Sequence, residues 1–178
     1  ELSKAVLMTT TSALQDTYNL VDEENIRKTV ELFVKANRIY FYGVGSSMIT
    51  AMDARSRFMR ITNKTEMIFD THLQNMAASL MTKDDVAVVF SYSGATKDTI
   101  ETARIAHNRG AKIIAITRFM KSPLTNYADI TLLSGANEGP LQGGSLSAKI
   151  SQLFLVDLLY AEYFRVTHEK STKNIELT

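Results

Sequence analysis

Val86-Ala87-Val88-Val89-Phe90-Ser91-Tyr92-Ser93-Gly94-Ala95-Thr96-Lys97-Asp98-Thr99 is the stretch on which the reading of this chain turns. The apolar run 86–90 is short for a buried helix and suits a strand covered on both faces. A small, hydroxyl-rich turn follows at 91–96, and the spacing predicts a helix over 96–109, stopped by Gly110. Strand, small polar turn and helix N-terminus form an anion site, because free backbone N–H groups and the positive end of the helix dipole point the same way. A phosphate is the ligand this turn suits.

Working outward, the pattern repeats. Ile39–Tyr42 reads as a strand and runs into Gly43-Val44-Gly45-Ser46-Ser47, with a helix predicted over 48–61. Further strands are predicted at 65–69, 111–117 and 130–133, with a helix at 71–81 and a short helix opening at Ser122-Pro123. Before the first strand, Leu2–Leu20 reads as a helix, and Asp22 caps a second whose buried face is Ile26, Val30, Phe33 and Val34. Residues 134–144 read as an irregular loop, 145–166 as a long helix, and the tail from His168 as polar and loose. Strands alternating with helices predict an α/β fold: a three-layer αβα sandwich on a five-stranded parallel sheet of flavodoxin-like order 2-1-3-4-5. Ligands in such sheets sit beyond the carboxyl ends of the strands, where the strand order switches. Here that point lies between the first and third strands, the two that end in serine-rich turns.

Composition narrows the function. The 178 residues carry a formal net charge of +1, which gives the chain as a whole no strong attraction for DNA or an anionic membrane. The absence of cysteine removes disulfide scaffolds and thiolate chemistry and fits a cytoplasmic location. No apolar run approaches the roughly 20 residues that span a bilayer. The chain opens on Glu1 without an initiating methionine, so it is expected to be a fragment of something longer. Its parts are expected to be 1–22 as helix and linker, 23–167 as the ligand-binding domain and 168–178 as a tail.

Gly43-Val44-Gly45-Ser46-Ser47-Met48 begins like a dinucleotide fingerprint, but its third glycine position is Met48, too bulky for the close helix–strand packing needed. Asp70 stands where a ribose partner would, a weak match by itself. A Walker A reading fails because no Gly-Lys-Ser/Thr occurs. The two turns together can bind phosphate through backbone amides and small hydroxyls, with Gly94 making the tight bend. Helix capping would account for either turn alone, and two converging turns point to a ligand.

Residues 38–47 with 91–99 resemble the sugar isomerase (SIS) domain, marked by a glycine-serine turn after the first strand and Ser-x-Ser-Gly-x-Thr after the third. By that resemblance the turns hold the phosphate of a phosphosugar, with Ser47, Ser91, Ser93 and Thr96 as hydroxyl ligands and Gly45, Ser46 and Gly94 as backbone supports. Within that family the chain most resembles the effector domain of RpiR/MurR-type bacterial transcription regulators. That likeness rests on Leu14-Gln15-Asp16-Thr17, Tyr42 to Ser47, Asp70-Thr71-His72, Ser91-Tyr92-Ser93-Gly94 and Ser151 to Asp157. It implies an N-terminal helix-turn-helix (HTH) domain outside this chain, DNA contact only through that domain, and control of sugar or amino-sugar genes. No cofactor or metal is implied.

Less defined are His72, which suits either a sugar hydroxyl contact or a helix-start hydrogen bond, and Glu138 and Ser145, which border the irregular loop and can line the pocket. Lys149 stands near them. Arg55, Arg57 and Arg60 lack the interleaved aromatics of a nucleic-acid surface and read as a solvated helix face. The long helix at 145–166 is apolar nearly all round, which requires cover from the core or from a second copy, and a homodimer is expected there. The alternative function is a stand-alone SIS aldose–ketose isomerase, which needs a positioned general base. Only Glu138 and His72 offer one, so a non-catalytic sensor is the preferred reading.

Overall fold

The computed structural model describes residues 1–137 and 146–178. Its elements in chain order are α1 (Leu2–Leu20), α2 (Glu23–Lys35), β1 (Ile39–Tyr42), α3 (Ser46–Phe58), β2 (Thr65–Met67), α4 (Thr71–Ser79), β3 (Val86–Phe90), α5 (Lys97–Asn108), β4 (Lys112–Thr117), a 3-10 turn (Thr125–Tyr127), β5 (Ile130–Leu133), α6 (Leu146–Val166) and α7 (His168–Leu177). The strands form one parallel sheet in the order β2-β1-β3-β4-β5. This is the α/β sandwich expected from the pattern.

Alternation along the buried strands assigns each side chain to a layer. Ile39 and Phe41, Val86, Val88 and Phe90, and Ile114 and Ile116 join one core with Val30 and Phe33 of α2, Phe58 of α3 and Leu155 of α6. Tyr42, Ala87, Val89, Ile113 and Ala115 face the other way, toward Ala78 of α4 and Ala103 and Ala106 of α5. The alanines on both sides of that second layer let the helices approach the sheet closely. Tyr42 is fully buried, its hydroxyl 3.7 Å from Met81 Sδ, and burial pushes its phenol well above the ordinary value.

Several expectations change: Val34, expected on the buried face of α2, is 40% exposed, and α4 ends at Ser79. β2 stops at Met67 because the chain turns out at Ile68, whose carbonyl is taken by the Gln74 side chain. α3 begins at Ser46 and ends at Phe58, earlier at both ends than predicted. At Ser122-Pro123 there is a turn rather than a helix, closed by bonds between Ser122 and Thr125, and it leads into the 3-10 turn at Thr125–Tyr127. The tail is not loose: it forms α7, where Ser171 is buried, Ile175 packs against the core and Asn174 Nδ2 donates to Ile61 O at 2.8 Å. The overall polarity of that segment masked a narrow inward stripe, Ser171-Asn174-Ile175, at helical spacing.

α6 is enclosed largely within the chain. α1, α2 and α3 all pack on it, and Tyr160 and Tyr163 meet Phe58 edge-on at 5.6 and 5.7 Å between ring centroids. Its all-round apolarity therefore has an intrachain cause. Among the described residues no helix is long and apolar enough to cross a membrane.

Candidate functional site

The register places Tyr42 of β1 beside Val89 of β3, so the two strands end one step apart and release their turns side by side. Glycines shape both turns. A Cβ on Gly43 would lie 2.7 Å from the Ser47 carbonyl oxygen, and Gly45 has φ +57°. Gly94 has φ +65°, and a Cβ there would lie 2.2 Å from Ser122 Oγ. Its carbonyl accepts the Leu124 N–H at 3.0 Å, which fastens the second turn to the segment after β4.

Capping separates the helices into two kinds. α2 and α4 are closed by carboxylates: Asp22 accepts from the Glu24 and Asn25 amides, and Asp70 from the Leu73 amide. α3 and α5, the two that follow the serine-rich turns, have no side-chain cap bond at Gly45, which has no side chain, or at Thr96, and the outlying α1 and α7 lack one as well. In the first turn of α3, Ser47 N–H reaches Val44 O and Met48 N–H reaches Gly45 O, both at a long 3.2 Å. The hydroxyls of the second turn are engaged inside that turn: Ser91 Oγ accepts from Gly94 N–H and Ser93 Oγ from Ala95 N–H, each at 3.1 Å. Each of these serines keeps an O–H to donate outward. Capping by hydroxyls, the bland account of these residues, is not what the turns do. Two adjacent helix N-termini without side-chain caps and with donor hydroxyls suit an anion, with Asp98 in the first turn of α5 the one carboxylate on either first turn.

Among the sequence-predicted residues, Gly45, Ser46, Ser47, Ser91, Ser93, Gly94 and Thr96 all lie in these neighbouring turns. Ser91 is buried; Ser93 is exposed, and Ser46, Ser47 and Thr96 are half-buried. His72 stands exposed in the first turn of α4, at the carboxyl end of β2, and the helix-start hydrogen bond there is made by Asp70 instead. Glu138 and Ser145 lie outside the described residues. Lys149 is half-buried near the start of α6.

Sequence reasoning missed the supports of the first turn. Gln74 is buried and its amide donates to Gly43 O at 3.0 Å and Ile68 O at 2.8 Å, tying the turns after β1 and β2 together. Its signal was a lone glutamine on the inward face of a predicted helix. Thr99, in the first turn of α5, is buried with no hydrogen-bond partner for its hydroxyl.

Comparison with known families matches residues 32–162 to the SIS domain. The chain belongs to the SIS domain family. Among curated proteins, this SIS chain is 41% identical over 150 residues to an HTH-type transcriptional regulator of Haemophilus influenzae, covering 84% of this chain and 52% of that protein. It is 32% identical over 169 residues to the HTH-type transcriptional regulator RpiR of Escherichia coli, covering 95% of this chain and 57% of that one. The chain thus spans little more than half the length of these relatives. Among solved structures, Vibrio vulnificus NanR complexed with ManNAc-6P superposes with a TM-score of 0.94 at 31% identity, covering 99% of this chain and 66% of that one.

Proposed function

We propose that this SIS domain is the phosphosugar-sensing part of an RpiR-type HTH transcription regulator, and that Ser47, Ser91, Ser93 and Thr96 with the backbone of Gly45, Ser46 and Gly94 hold the phosphate. The observation that carries the reading is the pair of uncapped, hydroxyl-lined helix N-termini side by side at the strand-order switch. Several charge-assisted bonds of about 1.5–3 kcal/mol each suffice to hold a phosphate without a lysine clamp. The ManNAc-6P complex of NanR and the names of the curated relatives support a sugar phosphate as ligand and transcription as output. Contact with DNA then belongs to an HTH domain outside this chain, in the part of those relatives that the chain does not span. Ligand control of such a domain requires different affinities for two conformational or dimer states.

A homodimer goes with this reading. Its support is the exposed apolar side chains Ile49 and Met52 on α3 and Leu146 at the start of α6, rather than the enclosed middle of α6. The sensor reading needs no turnover: among the described residues the candidate general base is His72, which is exposed in the first turn of α4. Turnover of a sugar phosphate that disappears in Glu138→Gln would establish the isomerase reading instead.

The test is a thermal-shift panel of N-acetylmannosamine, N-acetylglucosamine, N-acetylmuramic acid and glucosamine 6-phosphates beside the unphosphorylated sugars. A ligand at 100 times its dissociation constant adds about 2.7 kcal/mol, so at least one phosphorylated member raises the melting temperature and none of the free sugars does. Equal shifts with and without phosphate would remove the phosphate assignment.

A further inference from the structure

α1 packs along α6, and of its 19 residues only Ala13 and Thr17, one turn apart, are buried. That one turn is dense in polar contacts. The Ala13 carbonyl accepts from Thr17 Oγ1 at 2.7 Å and shares the Ser151 hydroxyl of α6, 3.3 Å away, with the nearer Ser147 carbonyl at 2.9 Å. Thr17 Oγ1 in turn accepts the Gly135 N–H at 2.8 Å. The loop after β5 presses so close here that a Cβ on Gly135 would lie 2.3 Å from the backbone of Asp16 and Thr17.

Both serine-rich turns are wired to this joint by residues that have no part in the proposed phosphate contacts. From the second turn, the Tyr92 ring packs with Ala13, Ala136 and Ala148, and its hydroxyl donates to Ala136 O at 2.9 Å. The Tyr92 carbonyl is itself held by Thr117 Oγ1 at 3.1 Å and the Arg118 amide at 3.0 Å, so ring and backbone of this residue are fixed together. From the first turn, Thr50 of α3 donates to Gln152 Oε1 of α6 at 2.8 Å, with both side chains buried. Ser151, the residue before it, makes the bond to Ala13. Buried polar pairs at a helix–helix contact fix register rather than add bulk stability.

We infer that Tyr92 and the Ser151-Gln152 pair are positioning residues that couple the two phosphate turns to the Ala13–Thr17 joint of α1, making α1 the output element of the domain. A ligand that draws the two turns onto one phosphate then biases how α1 is held, and by linkage α1 biases the ligand. This rests on the phosphosugar reading of the turns.

The test is amide chemical-shift mapping on the 15N-labelled 178-residue chain, titrated with inorganic phosphate and then with N-acetylmannosamine 6-phosphate. In the wild type the amides of 45–47 and 91–96 and those of 13–17 and Gly135 move with one midpoint. Tyr92→Phe, which keeps the ring and removes the hydroxyl, retains the turn shifts and reduces those of 13–17 on the order of fivefold, as coupling of this kind predicts. Ser151→Ala, a milder change in case the first variant folds poorly, produces the same split. Wild-type turn amides that move while 13–17 stay still would overturn the coupling and leave the phosphosugar reading standing. Variants whose 13–17 amides move as in the wild type would overturn the roles of Tyr92 and Ser151. Turn amides that ignore both probes would sink the phosphosugar reading, and the coupling with it.

Discussion

Replacing Gly94 with alanine tests how tightly the second turn is built. The residue sits at φ +65°, and an added Cβ would come within 2.2 Å of Ser122 Oγ and 2.6 Å of Ser122 Cβ. The backbone cost of holding an L-residue there is roughly 1–2 kcal/mol. Forcing the methyl against Ser122 adds about 1–3 kcal/mol of overpacking, so Gly94→Ala should destabilise by about 2–5 kcal/mol. Urea unfolding of the wild type, Gly94→Ala, Ser122→Gly and the double variant separates the two contributions. Removing the Ser122 side chain relieves the clash but leaves the backbone strain, so the cycle should give a coupling of about 1–3 kcal/mol, with the remaining strain visible in the double variant. The phosphosugar thermal shift should shrink in Gly94→Ala and return partly in the double variant, because the turn recovers its bend. A Gly94→Ala protein within about 0.5 kcal/mol of the wild type would refute the reasoning, since that is the scatter of neutral surface substitutions.

Other changes give distinct outcomes. Ser91→Ala combined with Ser93→Ala should abolish the sugar phosphate thermal shift while circular dichroism stays native; retained binding would place the ligand elsewhere. Thr50→Val strands the buried Gln152 amide and should cost about 1–3 kcal/mol in denaturant unfolding, with Thr50→Val/Gln152→Leu recovering part of it, and no recovery would mean the pair is not isolated in an apolar contact. In acid, Glu24, Glu101 and Glu162 are each held below the ordinary carboxylate value, chiefly by hydrogen bonds from Arg27, Arg104 and Arg165. A depressed folded-state pKa contributes stability above the unfolded value of 4.5 that is lost as pH falls through the folded one. The Glu24 and Glu101 pairs are exposed and only Glu162, at 18% side-chain exposure, is partly covered, so the melting temperature should hold between neutrality and pH ~5 and drop only slightly from this cause at lower pH, less so in high salt.

What could be read along the chain was whatever depends on local order. The apolar run 86–90, the hydroxyl turn behind it and the glycine that stops α5 are neighbours in sequence, so pattern alone located them, and the strand order followed from the fit of five strands alternating with helices to a flavodoxin-like sandwich. Asp22 reaches amides two and three residues away, a cap legible in the sequence, whereas Asp70, read there only as a weak ribose match, caps α4 by the same short reach. α7 was misjudged because its average polarity outweighed three inward residues, and β2 was made too long because the glutamine that draws Ile68 out of the sheet lies on the next helix.

Tertiary structure decided the rest, since it depends on which distant residues meet. Whether the serines cap their helices is a matter of geometry, and the starts of α3 and α5 carry no side-chain cap bond. The bonds from Gln74 to Gly43, from Thr50 to Gln152 and from Ser151 to Ala13 join residues 31, 102 and 138 positions apart. Each looked in sequence like an ordinary polar residue on a helix, because a buried hydrogen bond between distant elements leaves no periodicity for a linear pattern to carry.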